Sequence, residues 1–296
     1  MSDFVRQHHT TCNFKGNESW VILSPIEQSI KNKIESVGTP LKDWDINIYR
    51  GVLTGCNEAF IISTEKRNEI LNNCTTKEER QRTEELIRPI LRGRDIKRYG
   101  YEWAGLYLIA TFPSRHYDIE EYPAVKQHLL SFGMERLEQT GKKYTINGQQ
   151  VTARKKTHNK WFETQDSISY WEDFYKPKIC YSEIVQSPQF FFDEREHFMP
   201  EATTFIMTGE NLKYLCALFN SMATAYFFKT FYAGGGLGEN GYRYKKAFFT
   251  NMPIPKYKGT TLQKTIEGGT DNNSYIYELY GLTTEEVQFI ESQQNQ

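Results

Sequence analysis

The sequence predicts an α+β fold: a mixed β-sheet domain with packed helices and a short helical C-terminal tail. Three observations lead there. Strand-like and helix-like stretches alternate irregularly, unlike a repeating strand–helix–strand array. The stretch "AGLYLIATF" reads as a buried strand. Leu212, Leu215, Cys216, Phe219, Met222, Ala223 and Tyr226 recur at helical spacing, which predicts a helix with one buried face.

The elements follow in chain order. Residues 18–37 read as a helix announced by Ser24-Pro25, because serine caps free amides and proline suits a first turn. Ile26, Ile30 and Ile34 give it a face, and Gly38 ends it. "WDINIYRGVLTGCNEAFIIS" predicts two strands joined by a tight turn, with Gly51 and Gly55 as turn residues. The charged run from Lys66 to Arg88 carries a Thr-x-x-Glu capping spacing and reads as an exposed helix. Gly93 is read as a turn. From Lys142 to Trp161 the chain is polar and basic and reads as a loop. "PKICYSEIV", "PQFFFDE" and "EATTFIM" read as strands. "AGGGLGENG" reads as a flexible loop and "NMPIPKY" as an extended exit stiffened by Pro253 and Pro255. The end predicts two short helices broken at Gly281, the second capped by Thr283. The expected division is an N-terminal helical or linker segment (1–45), a main domain (46–257) and a helical tail (258–296).

A formal net charge of -1 over 296 residues argues against a uniformly basic nucleic-acid binder, but leaves local patches open. An apolar content of 39% supports a packed core. The five scattered cysteines make no C-x-x-C, which favours reduced thiols. His8 and His9 are adjacent and read as surface residues. No apolar run has the length of a membrane span, so a cytoplasmic protein is expected.

Six basic side chains precede the first acid, Glu163, in "KKYTINGQQVTARKKTHNKWFE". Lys142, Lys143, Arg154, Lys155, Lys156 and Lys160 suit phosphates, Gln149, Gln150 and Asn159 suit base edges, and Trp161 fits either core or base. Taken alone, this stretch is more simply a solvated surface loop. A second cluster at Arg88–Arg98 and a third in "GYRYKK" strengthen the binding reading.

Catalytic signatures are lacking. "FYAGGGLGENG" follows a helical segment rather than a strand, so it does not fit a cofactor-binding glycine loop. "NMPIP" departs from the Asn-Pro-Pro-aromatic motif of amino-methyltransferases. "DIK" at Asp95–Lys97 matches the end of a metal-dependent nuclease signature, with Glu84 and Glu85 as the nearest upstream carboxylates. Asp95 is better read as the partner of a neighbouring arginine.

Seven stretches in order, "LKDWDINIYRGVLTGCNEAFII", "LIRPILRGRDIKRY", "NKWFE", "KPKICYSEI", "LCALFNS", "GYRYKKAFFTNMPIP" and "YELYGLTTEE", carry a family resemblance. Together they resemble the TaqI-like C-terminal specificity domain of type IIG restriction-modification enzymes and related adenine-specific DNA methyltransferases. The resemblance runs from about Trp20 to about Glu291. It implies a target-recognition domain for double-stranded DNA, with methylation and cleavage carried by modules in cis or on a separate subunit. It implies no cofactor in this chain, S-adenosylmethionine and Mg²⁺ belonging to those other modules. The expected DNA contacts are Arg154, Lys155, Lys156 and Lys160, then Arg94, Arg98 and Arg243. In the family pattern "LRGRDIKRY" is a shared brace, so base reading is expected in the 142–161 loop. The rival readings are a protein-interaction module of a restriction-modification complex and a cryptic Mg²⁺-dependent nuclease.

Overall fold

The computed structural model describes residues 23–233 and 241–294. His8, His9, Cys12 and most of the "AGGGLGENG" loop lie outside them. The chain forms two compact units that interleave in sequence. One comprises residues 47–183 and 190–208; the other comprises the described residues among 1–46, 184–189 and 209–296. The expected linear division instead set the first and last segments apart.

The 47–183/190–208 unit is built on two four-stranded sheets. In the first, Lys178–Ser182 lies between Phe190–Asp193 and Thr204–Gly209, antiparallel to both, and Ile46–Arg50 forms the far edge. Every residue of Lys178–Ser182 is buried, as expected for a central strand. Lys178 is tolerated there because its Nζ donates to Asp193 Oδ2 (2.8 Å) and to the Phe174 carbonyl (2.8 Å). In the second sheet the order is Met199–Pro200, Ile87–Leu91, Leu106–Ile109 and Ile61–Ser63. Leu106–Ile109 is the strand expected from "AGLYLIATF", antiparallel to both neighbours. Phe60, Ile90, Leu108, Ile109, Leu129, Phe174 and Cys180 share one buried core.

The expected hairpin over residues 44–63 does not form. Ile46–Arg50 and Ile61–Ser63 belong to different sheets. Gly51 and Val52 amides donate to the Thr204 and Pro200 carbonyls (2.7 and 2.8 Å), which ties the chain down after the first strand. A Cβ on Gly51 would sit 2.0 Å from the Glu201 carbonyl oxygen, so glycine serves a close backbone approach rather than a turn. Gly55 (φ +75°) does turn the chain into a single helical turn, Asn57–Phe60.

The charged run forms two helices, Thr64–Asn72 and Lys77–Leu86. Thr76 caps the second through its side-chain oxygen. Glu79 is buried rather than exposed, accepting from the amides of Thr75 (2.8 Å) and Ala124 (3.1 Å). Burial raises its pKa, but these amide donors outweigh burial and hold the carboxyl below its ordinary value. The helix Pro123–Leu130 was not foreseen in the sequence.

In the other unit, Ser24 caps Pro25–Val37 with a reciprocal bond to Glu27. Ser29 and Lys33 of this helix donate to Glu286 of the last described helix (2.7 and 2.6 Å), joining the first and last described helices. The expected single helix after residue 211 is interrupted: Leu212–Phe219 ends at Asn220, and Ser221 caps a second helix, Met222–Phe227. Pro253–Ile254 pairs antiparallel with Thr39–Pro40. Asn273–Leu279 and Thr284–Gln294 are the two expected tail helices, separated by Gly281 at φ +64°. Thr283 and Glu286 make the reciprocal cap between them (2.7 and 3.3 Å). Cys56, Cys74, Cys180 and Cys216 form no disulfide.

Candidate nucleic-acid interface

The basic 142–161 stretch is not a loop throughout. Lys143–Ile146 and Gln149–Thr152 pair as an antiparallel hairpin, with Ile146 opposite Gln149. Its two-residue turn is Asn147-Gly148, both at positive φ (49° and 80°), the backbone such a turn requires. Asn-Gly between alternating residues is the strongest short-range hairpin signal, and it was present in the sequence. The alternation gives the ribbon two faces. Lys143, Thr145, Gln150 and Thr152 share one face and are all exposed. On the other, Tyr144 and Val151 are half-buried, and the Tyr144 hydroxyl donates to Glu138 (2.9 Å). The ribbon is thus braced on one side and polar and open on the other.

Arg154 stands where the ribbon rejoins the domain, and here the structure corrects the expectation of a phosphate contact. Only 4% of the residue is exposed. Its Nε donates to the Leu137 carbonyl (2.8 Å), Nη1 to those of Thr54 (2.8 Å) and Glu163 (2.7 Å), and Nη2 to that of Trp161 (2.6 Å). The guanidinium also lies 5.0 Å from the Phe60 ring centre. Burial pushes its pKa down to about 10, which still leaves a cation at neutral pH. Arg154 therefore ties segments together from within.

Gln139 extends this frame. Its Nε2 donates to the carbonyls of Lys160 (3.2 Å) and Glu163 (3.1 Å), while Oε1 accepts from Thr157 Oγ1 (2.7 Å) and Gln165 Nε2 (3.0 Å). Asn159 was expected to read base edges, but its Nδ2 donates to the Gln165 carbonyl (3.0 Å) and is committed to the same frame. Trp161 is half-buried, packs edge-to-face on Phe162 and lies against the core, which favours its packing role.

On this frame stand Lys155, Lys156 and Lys160, all exposed. Lys160 lies over the Phe162 ring (5.5 Å) and its backbone amide donates to Glu163 (2.7 Å). Three of the expected cations thus stand exposed on backbone that belongs to this frame or adjoins it. Gln149 and Gln150 are exposed near its tip.

Arg94 and Arg98 are exposed on a different part of the same unit. Arg92 holds Asp95 by a two-pronged pair, Nε to Oδ2 (2.9 Å) and Nη2 to Oδ1 (2.7 Å), and the Arg92 amide adds a third bond (3.1 Å). Asp95 is thus an arginine's partner, as the sequence indicated. Gly93 lies in a short 3-10 turn, and a Cβ there would meet Ser182 Oγ at 2.7 Å, so close packing is its constraint. Arg98 lies over the Tyr99 ring (5.3 Å). Arg243 belongs to the other unit, exposed on a short strand paired with Ile184–Val185. Tyr242 and Tyr244 on either side are buried; Tyr244 stacks on Phe228 with ring centres 4.7 Å apart. Those tyrosines are core, not base platforms.

Among the described residues no three His, Cys, Asp or Glu side chains converge to hold a metal ion. No helix among them is long and apolar enough to cross a membrane.

A family model described as TaqI-like C-terminal specificity domain matches residues 88–254, over half of the chain. Among solved structures, that of the type IIG restriction endonuclease BpuSI is similar over 82% of this chain and 27% of its own length. Its TM-score is 0.51 at 12% identity, so the likeness is one of fold. The Type IIL restriction-modification enzyme MmeI, solved in complex with DNA, covers 86% of this chain and 36% of its own, with a TM-score of 0.49 at 13% identity. The chain thus spans about a quarter of the first protein and about a third of the second. No curated protein matches the sequence.

Proposed function

This chain belongs to the TaqI-like C-terminal specificity domain family, and from that premise we propose that it reads the target sequence in double-stranded DNA for a restriction-modification enzyme. The observation that carries the reading is the ribbon of residues 143–152 beside Lys155, Lys156 and Lys160, mounted on a buried polar frame. A two-stranded ribbon fits the major groove of B-DNA, where each base pair shows a distinct pattern of donors and acceptors. Thr145, Gln150 and Thr152 on the open face present hydroxyl and amide groups that pair with base edges. The lysines, with Arg94 and Arg98 of the same unit, neutralise phosphates and fix the register of the duplex; Arg243, on the other unit, is by itself a further candidate phosphate contact. Rigidity matters here, because a floppy loop would lose more entropy on ordering against one sequence.

Recognition without catalysis is the role proposed for this chain. Methyl transfer and cleavage, with S-adenosylmethionine and Mg²⁺, fall to modules in cis or on a partner subunit in the cytoplasm. An amino-methyltransferase must take its adenine out of the stack, so a domain that fixes the duplex register selects which adenine is presented.

The test is selection from a pool of random-sequence duplexes on the isolated chain. One enriched motif is expected, and a chain carrying Thr145→Ala, Gln150→Ala and Thr152→Ala should still bind DNA without enriching it. Enrichment of the same motif by that variant would remove the ribbon from the reading role.

A further inference from the structure

The 47–183/190–208 unit contains a cavity of about 280 Å³. Its charged wall carries three arginines, Arg82, Arg88 and Arg115, against one acid, Glu85. Among the described residues none of the three arginines makes an ion pair with a carboxylate. Arg82 Nη2 donates to the Glu121 carbonyl (3.1 Å). The Nε atoms of Arg82 and Arg88 are buried and have no hydrogen-bond partner. Buried guanidinium donors left unmet cost free energy, so two in one wall call for explanation.

Two of these guanidiniums are held in place by rings. Arg115 lies over Trp171 at 3.8 Å, and Arg88 lies over Tyr175 at 5.3 Å. Such stacking fixes the planar fork before any ligand arrives, which reduces the ordering cost of binding. Guanidinium forks match the oxygen spacing of phosphate. A lone phosphate would leave much of 280 Å³ unfilled, and the remaining wall includes the rings of Phe112 and Tyr122. Aromatic side chains of this kind accept a nucleobase through stacking, with little regard to sequence.

We propose that this cavity binds a nucleoside monophosphate, its phosphate on Arg88 and Arg115 and its base against the aromatic wall. None of the residues lining the cavity belongs to the 143–152 ribbon, and the proposal does not rest on the duplex-reading function. The residues differ as well: Lys155, Lys156 and Lys160 take no part in the cavity.

Calorimetric titration of the full chain with deoxyadenosine monophosphate, deoxyadenosine and inorganic phosphate tests it. The monophosphate should bind saturably at one site, and each of the two fragments at least tenfold more weakly. Arg88→Gln should weaken the monophosphate at least tenfold. Arg115→Gln, at an exposed position and therefore harmless to folding, should do the same, with unchanged circular dichroism. Absence of saturable heat at millimolar monophosphate would overturn the proposal, as would wild-type affinity in the folded Arg115→Gln chain. A duplex arm identifies the source of the phosphate. Displacement of the monophosphate by duplex, with Arg115→Gln weakening both equally, would assign the cavity to the DNA strand and equally overturn it.

Discussion

Arg154 and Lys155 are consecutive residues with opposite environments: the Arg154 guanidinium donates inward to four backbone carbonyls, while Lys155 projects into solvent. The pair separates what holds the interface together from what contacts a ligand. Replacing Arg154 with Gln should therefore destabilise the fold by about 3–5 kcal/mol, the scale of breaking a buried charged network. Replacing Lys155 with Gln should change stability by less than about 0.5 kcal/mol, as is usual for surface changes. Urea unfolding of the two variants checks both figures.

The ribbon depends on the positive φ of Gly148. Gly148→Val should lose about 1–2 kcal/mol of hairpin stability, since a β-branched side chain resists that backbone. Amide exchange should quicken across 143–152 while the sheet containing Lys178–Ser182 keeps its protection. Slow exchange retained in the hairpin would show that its turn is not the determinant.

Lys178 and Asp193 form an ion pair with both side chains fully buried (2.8 Å). Asp193 also accepts from the amides of Glu196 (2.9 Å), His197 (3.1 Å) and Phe198 (2.8 Å). Lys178→Met leaves a buried carboxylate without its cation and should cost about 3–5 kcal/mol. Adding Asp193→Asn removes that charge and keeps one acceptor oxygen for the amides of Glu196 and His197, so the double variant should regain part of the loss. Thermal melting of the single and double variants gives the comparison.

His128 sets a pH dependence. Burial is the main cause holding its pKa below the ordinary 6.5, against a contact from Nε2 to the Ala59 carbonyl (3.0 Å). The unfolded chain takes up this proton as pH falls through about 6.5, while the folded chain resists it. The stability this neutral ring supports is therefore intact above that pH and declines below it. The melting temperature should drop between pH 7.5 and 5.5, and His128→Gln should flatten the drop. An unchanged slope in that variant would assign the dependence to other groups.

Much of this was legible in the sequence, and the misreadings have physical causes. Cap chemistry is local, so Ser24, Thr76 and Thr283 marked helix starts that the structure has. The strand at Leu106–Ile109 was legible from its continuous apolar run. Partner choice between strands is not local, and Ile46–Arg50 and Ile61–Ser63 went to different sheets for reasons 150 residues away, at Pro200 and Thr204. The basic character of 142–161 was plain, but whether a basic side chain faces water is not encoded in its type. Arg154 sits among lysines and looks like one of them until its carbonyl partners are seen. The Arg88 and Arg115 cavity was invisible because its residues come from distant segments. The 143–152 ribbon has its local signal in Asn147-Gly148, but its strands are largely polar and so carry little of the apolar alternation that marks a strand.

The central claim is that Lys155, Lys156 and Lys160 anchor duplex DNA beside the ribbon. Binding of a short duplex, measured by fluorescence anisotropy across a series of salt concentrations, tests it most directly. If all three lysines contact phosphates, the triple variant Lys155→Gln, Lys156→Gln, Lys160→Gln should flatten the slope of log K against log salt by about 2.7, at about 0.9 per contact. Affinity at low salt should fall with it, while urea stability stays within about 0.5 kcal/mol of the parent. A folded triple variant with the parent's slope and affinity would contradict the account.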